Sequence, residues 1–343
     1  MNQTKMSTTD APPNPAFIFE TLNAYQRTAA LRGAIELDLF TAIAEGATDV
    51  PAIAARCHAS ERGTRILCDY LVINGFLTKE ANTYGLTQDS ALFLNRKSPA
   101  YLGTTVRFLN SPHLMNAFQD IAELARRGTT LLGGEGSMDP EHPMWVDFAR
   151  AMAPMMAPAA EGIAAIVGAD KGGKCKVLDI AAGHGVFGIA IARHNPQAEV
   201  TALDWKSVLA VALENAEAAG VADRYQTLPG SAFEVDYGRD YDLVLLTNFL
   251  HHFDLPTCEQ LMRKVHAALK PGGRAITLEF VPNDDRVTPP VEASFSLMML
   301  GSTVAGDAYT FAQYDQIFRS AGFARNEIHE LPMSPQHVIV SHK

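Results

Sequence analysis

Cysteine is scarce in this chain: four among 343 residues, at Cys57, Cys68, Cys175 and Cys258, with no C-x-x-C pair. Such scattered thiols argue against a zinc ribbon and a disulfide scaffold, and they fit a reducing, cytoplasmic setting. Basic charge is in deficit too. With 28 Lys and Arg against 38 Asp and Glu the formal charge is −10, which repels a phosphate backbone, so nucleic acid is not an expected partner. No apolar run approaches the roughly 20 residues a membrane-crossing helix needs, and no membrane span is expected. The opening MNQTKMSTTDAPPNP lacks the apolar core of a secretory signal, and residues 1–16 read as a disordered tail. What is abundant is apolar content, 47% of the chain, enough for one large domain or two medium ones.

Residues 17–100 read as helices ending in a ribbon. Apolar positions recur at helical spacing from Phe17 to Ile43, Val50-Pro51 opens a second helix with proline in its first turn, and a third covers about 61–74. GFLTKEANTYGLT then alternates and turns at Ala81-Asn82, as a hairpin does. This is a winged-helix-like order, a shape often associated with DNA. Its third helix carries only Arg62 and Arg65 as a basic set, too little phosphate neutralisation for DNA, so packing or dimerisation is the expected role. Residues 101–165 continue as linking helices, broken by the Gly-rich LLGGEGSMDPEHP. In the helix after it, Met152, Met155 and Met156 fall on neighbouring turns, where thioethers either fill a core or line a cavity for flat rings.

The last region, 166–343, changes character from Lys176 onward: strands alternate with helices, the mark of an α/β parallel sheet covered on both faces. Strands are expected at KVLDIAA, AEVTALD, RYQTLPG, DLVLLTN and RAITLEF, with helices at about 186–194, 207–219 and 257–269. A helix near 314–321 precedes a closing strand pair, NEIHEL and HVIVSH.

Within VLDIAAGHGVFGIAIA, Gly183, Gly185 and Gly188 form G-x-G-x-x-G between a buried strand and a helix start. Glycines there permit a sharp bend and close approach of a ligand to the main chain. Asp204 ends the next strand, 21 residues after Gly183, the spacing at which a carboxylate takes ribose hydroxyls. The pair implies an adenosine-containing ligand, either a nicotinamide dinucleotide or S-adenosylmethionine. Three features favour the methyl donor. Asp179 precedes the loop, where it would organise the loop amides or face an amino group and would repel a pyrophosphate. Trp205 offers an aromatic plane beside adenosine. Finally, no second β-α-β half follows to hold a nicotinamide.

With LDIAAGHG, LDW, NFLHHFD, LKPGGR and GDAYTFAQYDQIFRSAGF in hand, the chain resembles the two-domain class I S-adenosylmethionine-dependent small-molecule O-methyltransferases, similar to caffeate and acetylserotonin O-methyltransferases and their bacterial relatives. The resemblance runs from about residue 17 to the end. It implies a Rossmann-like seven-stranded methyltransferase sheet behind a helical, winged-helix-like dimerisation domain, a homodimer, S-adenosyl-L-methionine as cofactor, no metal, and a small, flat, hydroxylated aromatic acceptor. Matching FLHHFD to the family's leucine-histidine-aspartate-tryptophan pattern puts the general base at His251, with His252 at the following acidic position. Spacing alone does not choose between the two. Glu279 matches the carboxylate that orients the base. The second such glutamate is replaced by Ala308, with Asp307 one residue away. On the cofactor side Ser231-Ala232-Phe233 stands for aspartate-methionine-phenylalanine, and Thr247, beside Asn248, for lysine. Trp145, Phe148, Met152, Met155, Met156, Phe295, Met298 and Met299 fall in segments that face the acceptor, and His113 is a further candidate contact. Left open are carbon or nitrogen methylation and a dehydrogenase built on the same glycine loop.

Overall fold

The computed structural model describes residues 13–343 apart from 135, 137–140 and 333. Most of the expected tail, and part of the Gly-rich loop before residue 143, therefore lie outside the described residues. The chain divides into two compact units between Gly103 and Thr104.

In the first unit, α1 (Ala16–Glu36) and α2 (Leu39–Ala44) replace the single helix expected up to Ile43. The break is at Asp38, which takes φ 58°, a left-handed conformation that aspartate tolerates better than most side chains. α3 (Val50–Arg56) and α4 (Glu61–Ile73) start where Asp49 and Ser60 accept backbone N–H bonds as caps. The hairpin β1 (Leu77–Glu80) and β2 (Thr83–Leu86) turns at Ala81, φ 52°, and α5 (Gln88–Phe93), capped by Thr87, was not anticipated. Phe40, Ile53, Leu71 and Tyr84 make the core, while Phe17, Ile18, Phe19, Leu22 and Tyr25 on α1 are each at least 60% exposed.

The second unit opens with α6 (Val106–Leu109), α7 (Pro112–Ala117), α8 (Ile121–Arg127) and the long α9 (Met144–Val167), which continues through Pro154 and Pro158. Next come β3 (Cys175–Ile180), α10 (Val186–His194), β4 (Ala198–Asp204), α11 (Lys206–Ala218), β5 (Tyr225–Pro229) and β6 (Tyr241–Thr247). The remainder is α12 (Leu255–Ala268), β7 (Leu269–Glu279), α13 (Pro290–Ser302), α14 (Phe311–Ser320), β8 (Arg325–Glu330) and β9 (His337–His342). Among these, α13 had no helical expectation, and β7 begins five residues before RAITLEF.

The seven strands lie in the order β5-β4-β3-β6-β7-β9-β8, parallel except for β9, which is antiparallel to both β7 and β8. Central strands read as largely apolar runs, Asp179 in β3 excepted, because both faces are covered: Val177, Leu178, Ile180, Val244, Leu245 and Leu246 are all buried. From β3 the chain winds outward to β4 and β5, then returns to β6 on the other side. The reversal leaves a crevice beyond the carboxyl ends of β3 and β6, where open α/β sheets take their ligands. Among the described residues no helix is long and apolar enough to cross a membrane.

Candidate active site

The chain leaves β3 after Ile180 and enters α10 at Val186 through a turn in which Ala181, Gly183 and Gly185 take φ of 53°, 57° and 76°. Gly185 tolerates no side chain, since a Cβ there would meet Tyr225 Oη at 2.6 Å. Asp204, at the end of the neighbouring strand β4, braces the turn: it accepts Gly183 N at 2.8 Å and Trp205 N at 2.7 Å, one on each oxygen. Burial pushes its carboxyl up to about 6, against the pull of those two N–H bonds.

Asp179 lies beneath the turn. It is wholly buried and accepts Gly188 N at 3.1 Å in the first turn of α10. Burial raises its carboxyl to about 7 despite that bond, and its Oδ1, like Tyr225 Oη, has no hydrogen-bond partner among the described residues. Asp179 thus ties down one amide of the first turn of α10 and is not among the residues lining the cavity described below. Gly188 is needed for this contact, because a Cβ would meet Asp179 Oδ2 at 2.9 Å.

Across the crevice β6 ends at Thr247, Asn248 takes φ 56°, and a single 3₁₀ turn, Leu250–His252, follows. His251 Nδ1 is hydrogen-bonded to Glu279 Oε2. The other oxygen, Oε1, accepts Phe249 N at 3.1 Å and Leu250 N at 2.8 Å. Glu279 is completely buried and His251 is 4% exposed. Both donors on Oε1 are backbone amides, so that oxygen accepts, while Oε2 meets the imidazole at Nδ1 and leaves Nε2 as the ring nitrogen not engaged by Glu279. An extended edge would send His251 and His252 to opposite sides; the 3₁₀ turn brings both to one wall, ring centroids 4.3 Å apart.

Among the described residues no second carboxylate is hydrogen-bonded to the imidazole. Ala308 is buried, and the Asp307 carboxylate pairs with Arg286 at 2.9 Å. The Asp307 contribution is through its backbone, whose N–H donates to His251 O at 3.0 Å and ties down the turn that carries the base.

These elements enclose a cavity of about 220 Å³. Gly183, Asp204, Trp205, Thr247 and Asn248 are among its lining residues, as are Trp145, Phe148, Met152, Met155, Met156, Phe295, Met298 and Met299, together with His251 and His252. Several expected residues are not in the wall. His113 instead packs on His142 at 4.8 Å between ring centroids. Gly185 is turned to Tyr225, and Ser231-Ala232-Phe233 is held away by Lys264, whose Nζ donates to Ala232 O at 3.0 Å and Phe233 O at 3.1 Å. Sequence reasoning missed His184, which lines the cavity within the glycine turn and stacks on Phe148 at 6.0 Å. Burial lowers its pKa to about 4, so it is neutral. Its place as a variable position of G-x-G gave no signal; Phe187, at a variable position of the same motif, Phe280, next to Glu279, and Phe108 also line the wall without having been singled out.

A glycine turn, an acidic end on the adjoining strand and a histidine-glutamate pair over an apolar cavity define the class: S-adenosylmethionine-dependent O-methyltransferases. Family models for the O-methyltransferase domain and for the O-methyltransferase dimerisation domain match residues 164–324 and 19–96, and the chain belongs to this family. A crystal structure from Nostoc punctiforme, assigned as an O-methyltransferase, is 55% identical with a TM-score of 0.94, covering 97% of this chain and 100% of that one. PigF with SAH is 25% identical with a TM-score of 0.83, covering 96% of this chain and 100% of that one. The 3-hydroxy-5-methyl-1-naphthoate 3-O-methyltransferase of Streptomyces sahachiroi is 28% identical over 317 residues, 90% of this chain and 89% of the relative. The chain is thus a small-molecule O-methyltransferase with S-adenosylmethionine as methyl donor, and the dehydrogenase alternative falls.

Proposed function

We propose that this enzyme methylates a hydroxyl of a small, flat aromatic acceptor, with His251 as general base and Glu279 orienting it. The observation that carries the reading is the buried Glu279 carboxylate against Nδ1 of a cavity-wall imidazole. A phenolic hydroxyl has a reference pKa of about 10, so at neutral pH it is largely protonated and a poor nucleophile. His251 Nε2 takes that proton as the oxygen attacks, work worth about 10²- to 10⁴-fold, and Glu279 then stabilises the imidazolium. Bound S-adenosylmethionine supplies a methyl carbon activated by its cationic sulfur. Asp204 is the acceptor for the ribose hydroxyls, with Trp205 beside the adenosine. The aromatic and methionine wall excludes water and holds the acceptor oxygen in line with the methyl carbon. The Streptomyces sahachiroi relative is named for 3-O-methylation of 3-hydroxy-5-methyl-1-naphthoate, a hydroxylated aromatic of this class.

Residues 17–100 are the dimerising part, 101–165 feed the acceptor cavity and 166–343 hold the donor. Homodimerisation is supported by the matched dimerisation domain and by the exposed Phe17, Phe19, Leu22 and Tyr25 of α1.

Incubation with methyl-labelled donor and a panel of phenols, catechols, flavonoids, indoles and quinols tests the reading. Label should enter an aryl ether, and His251→Ala should slow turnover about a hundredfold or more with donor binding retained. No labelled ether from any acceptor, or parental turnover in the variant, overturns it.

A further inference from the structure

We infer that the acceptor enters this site uncharged: it carries hydroxyls but no carboxylate, sulfate or phosphate, and the wall rejects an anion by offering it no counter-charge. This rests on the methyl-transfer reading above and narrows its substrate class. Among the described residues no lysine or arginine lines the cavity. Arg107 and Lys206, the basic residues next in sequence to the wall, are exposed and stand outside its lining. Residues 135, 137–140 and 333 include no basic side chain either. Histidines apart, Asp204 is the one ionisable side chain in the wall, and its charge is negative. Burial keeps His184 and His252 uncharged at neutral pH. Any charge on His251 is matched by Glu279, its hydrogen-bonded partner.

Neutral donors can take the place of a cation, yet the wall's donors are largely committed. Phe249 N and Leu250 N donate to Glu279, Gly183 N and Trp205 N to Asp204, and Asn248 N to Leu278 O at 2.8 Å. Ser302 Oγ donates to Met298 O at 2.8 Å, and Asn248 Nδ2 to Met156 Sδ at 3.7 Å. A carboxylate in such a wall loses its water without gaining a partner, a penalty that falls on the charged acceptor and spares the neutral one. S-Adenosylmethionine escapes it, because its carboxylate stands beside its own α-ammonium and its sulfur is cationic. That net positive charge also suits Asp204 and a chain of formal charge −10, whereas both repel an acceptor anion.

The test uses the full chain and acceptor pairs that differ in charge but hardly in shape: para-hydroxybenzoate against its carboxamide, caffeate against its carboxamide, and a hydroxynaphthoate against its carboxamide. In the parent the amide of at least one pair should be preferred about tenfold or more, both in Kd on the chain loaded with S-adenosylhomocysteine and in kcat/KM for methyl transfer. Met155 lies at the rim of the cavity, 39% exposed, so Met155→Lys adds an ammonium there without burying it. That variant should cut the preference about tenfold by improving the acid. Met155→Gln, polar without charge, should keep the parent's preference, which separates charge from shape. Heat from S-adenosylhomocysteine reports that each variant is folded, and Leu109→Lys, at a rim position 43% exposed, decides the matter should Met155→Lys fail that check. Acid and amide treated alike by the parent in every pair, or a preference unmoved by the added ammonium, overturns the inference and leaves the methyl-transfer reading standing. No transfer to any of these acceptors or to the wider phenol panel overturns both.

Discussion

Replacing Glu279 by glutamine alters one atom and should reverse the tautomer of the base. Oε1 faces two amide donors, Phe249 N at 3.1 Å and Leu250 N at 2.8 Å. Turning an NH₂ group toward them would leave buried donors unpaired, at about 1 to 3 kcal/mol each. The introduced carboxamide therefore keeps its oxygen there and directs its NH₂ to His251. Nδ1 must then accept, the proton moves to Nε2, and the lone pair is withdrawn from the cavity. The loss is the general-base contribution, about 10²- to 10⁴-fold in kcat, or about 3 to 5 kcal/mol at the barrier. Single-turnover transfer of labelled methyl to an aryl hydroxyl at neutral pH measures it, with calorimetry of S-adenosylhomocysteine to show that donor binding is unchanged. As pH rises toward about 10 the acceptor ionises unaided, so the variant should regain rate more steeply than the parent. Transfer within about threefold of the parent at neutral pH would mean that the base contributes far less than this argument requires.

Three other outcomes are expected. Donor binding should weaken as pH falls through about 6, where the Asp204 carboxyl takes up its proton. The neutral form accepts weaker bonds from ribose than the carboxylate does, by up to about tenfold per pH unit, and a flat calorimetric profile for S-adenosylhomocysteine between acid and neutral pH contradicts this. Gly185→Ala should destabilise the protein by about 1 to 3 kcal/mol, because φ is 76° and Tyr225 Oη stands 2.6 Å from the added Cβ. Addition of Tyr225→Phe should recover part of the lost melting temperature, since that hydroxyl has no partner among the described residues; no recovery argues against the close approach. Lastly, Leu22→Glu combined with Tyr25→Glu on the exposed face of α1 should shift sedimentation from dimer to monomer at micromolar concentration, and a parent that already sediments as a monomer removes the basis for a homodimer.

The parallel sheet was legible because a strand covered on both faces is apolar over most of its length, as KVLDI and DLVLLT are apart from Asp179 and the strand ends. The glycine turn and Asp204 were legible for a similar reason: a sharp reversal and a carboxylate at the next strand end leave their marks at fixed spacing. Less visible were features set by single backbone angles. Asp38 interrupts an otherwise continuous helical pattern, and α13 carries apolar residues round much of its surface, so no stripe announces it.

At the site itself the division is sharper. Local pattern by itself determined the strands, the turn and the arrival of two histidines at the edge of the sheet, because these follow from periodicity and from which residues permit a bend. Only the tertiary structure decided that His251 meets Glu279, 28 positions away, and that His252 Nδ1 finds no partner among the described residues. It also turned Asp307 to Arg286, hid Asp179 under the loop and kept His113 out of the cavity. Those outcomes depend on where a 3₁₀ turn, a neighbouring strand end and a distant helix come to rest against one another, and such contacts carry no period along the chain.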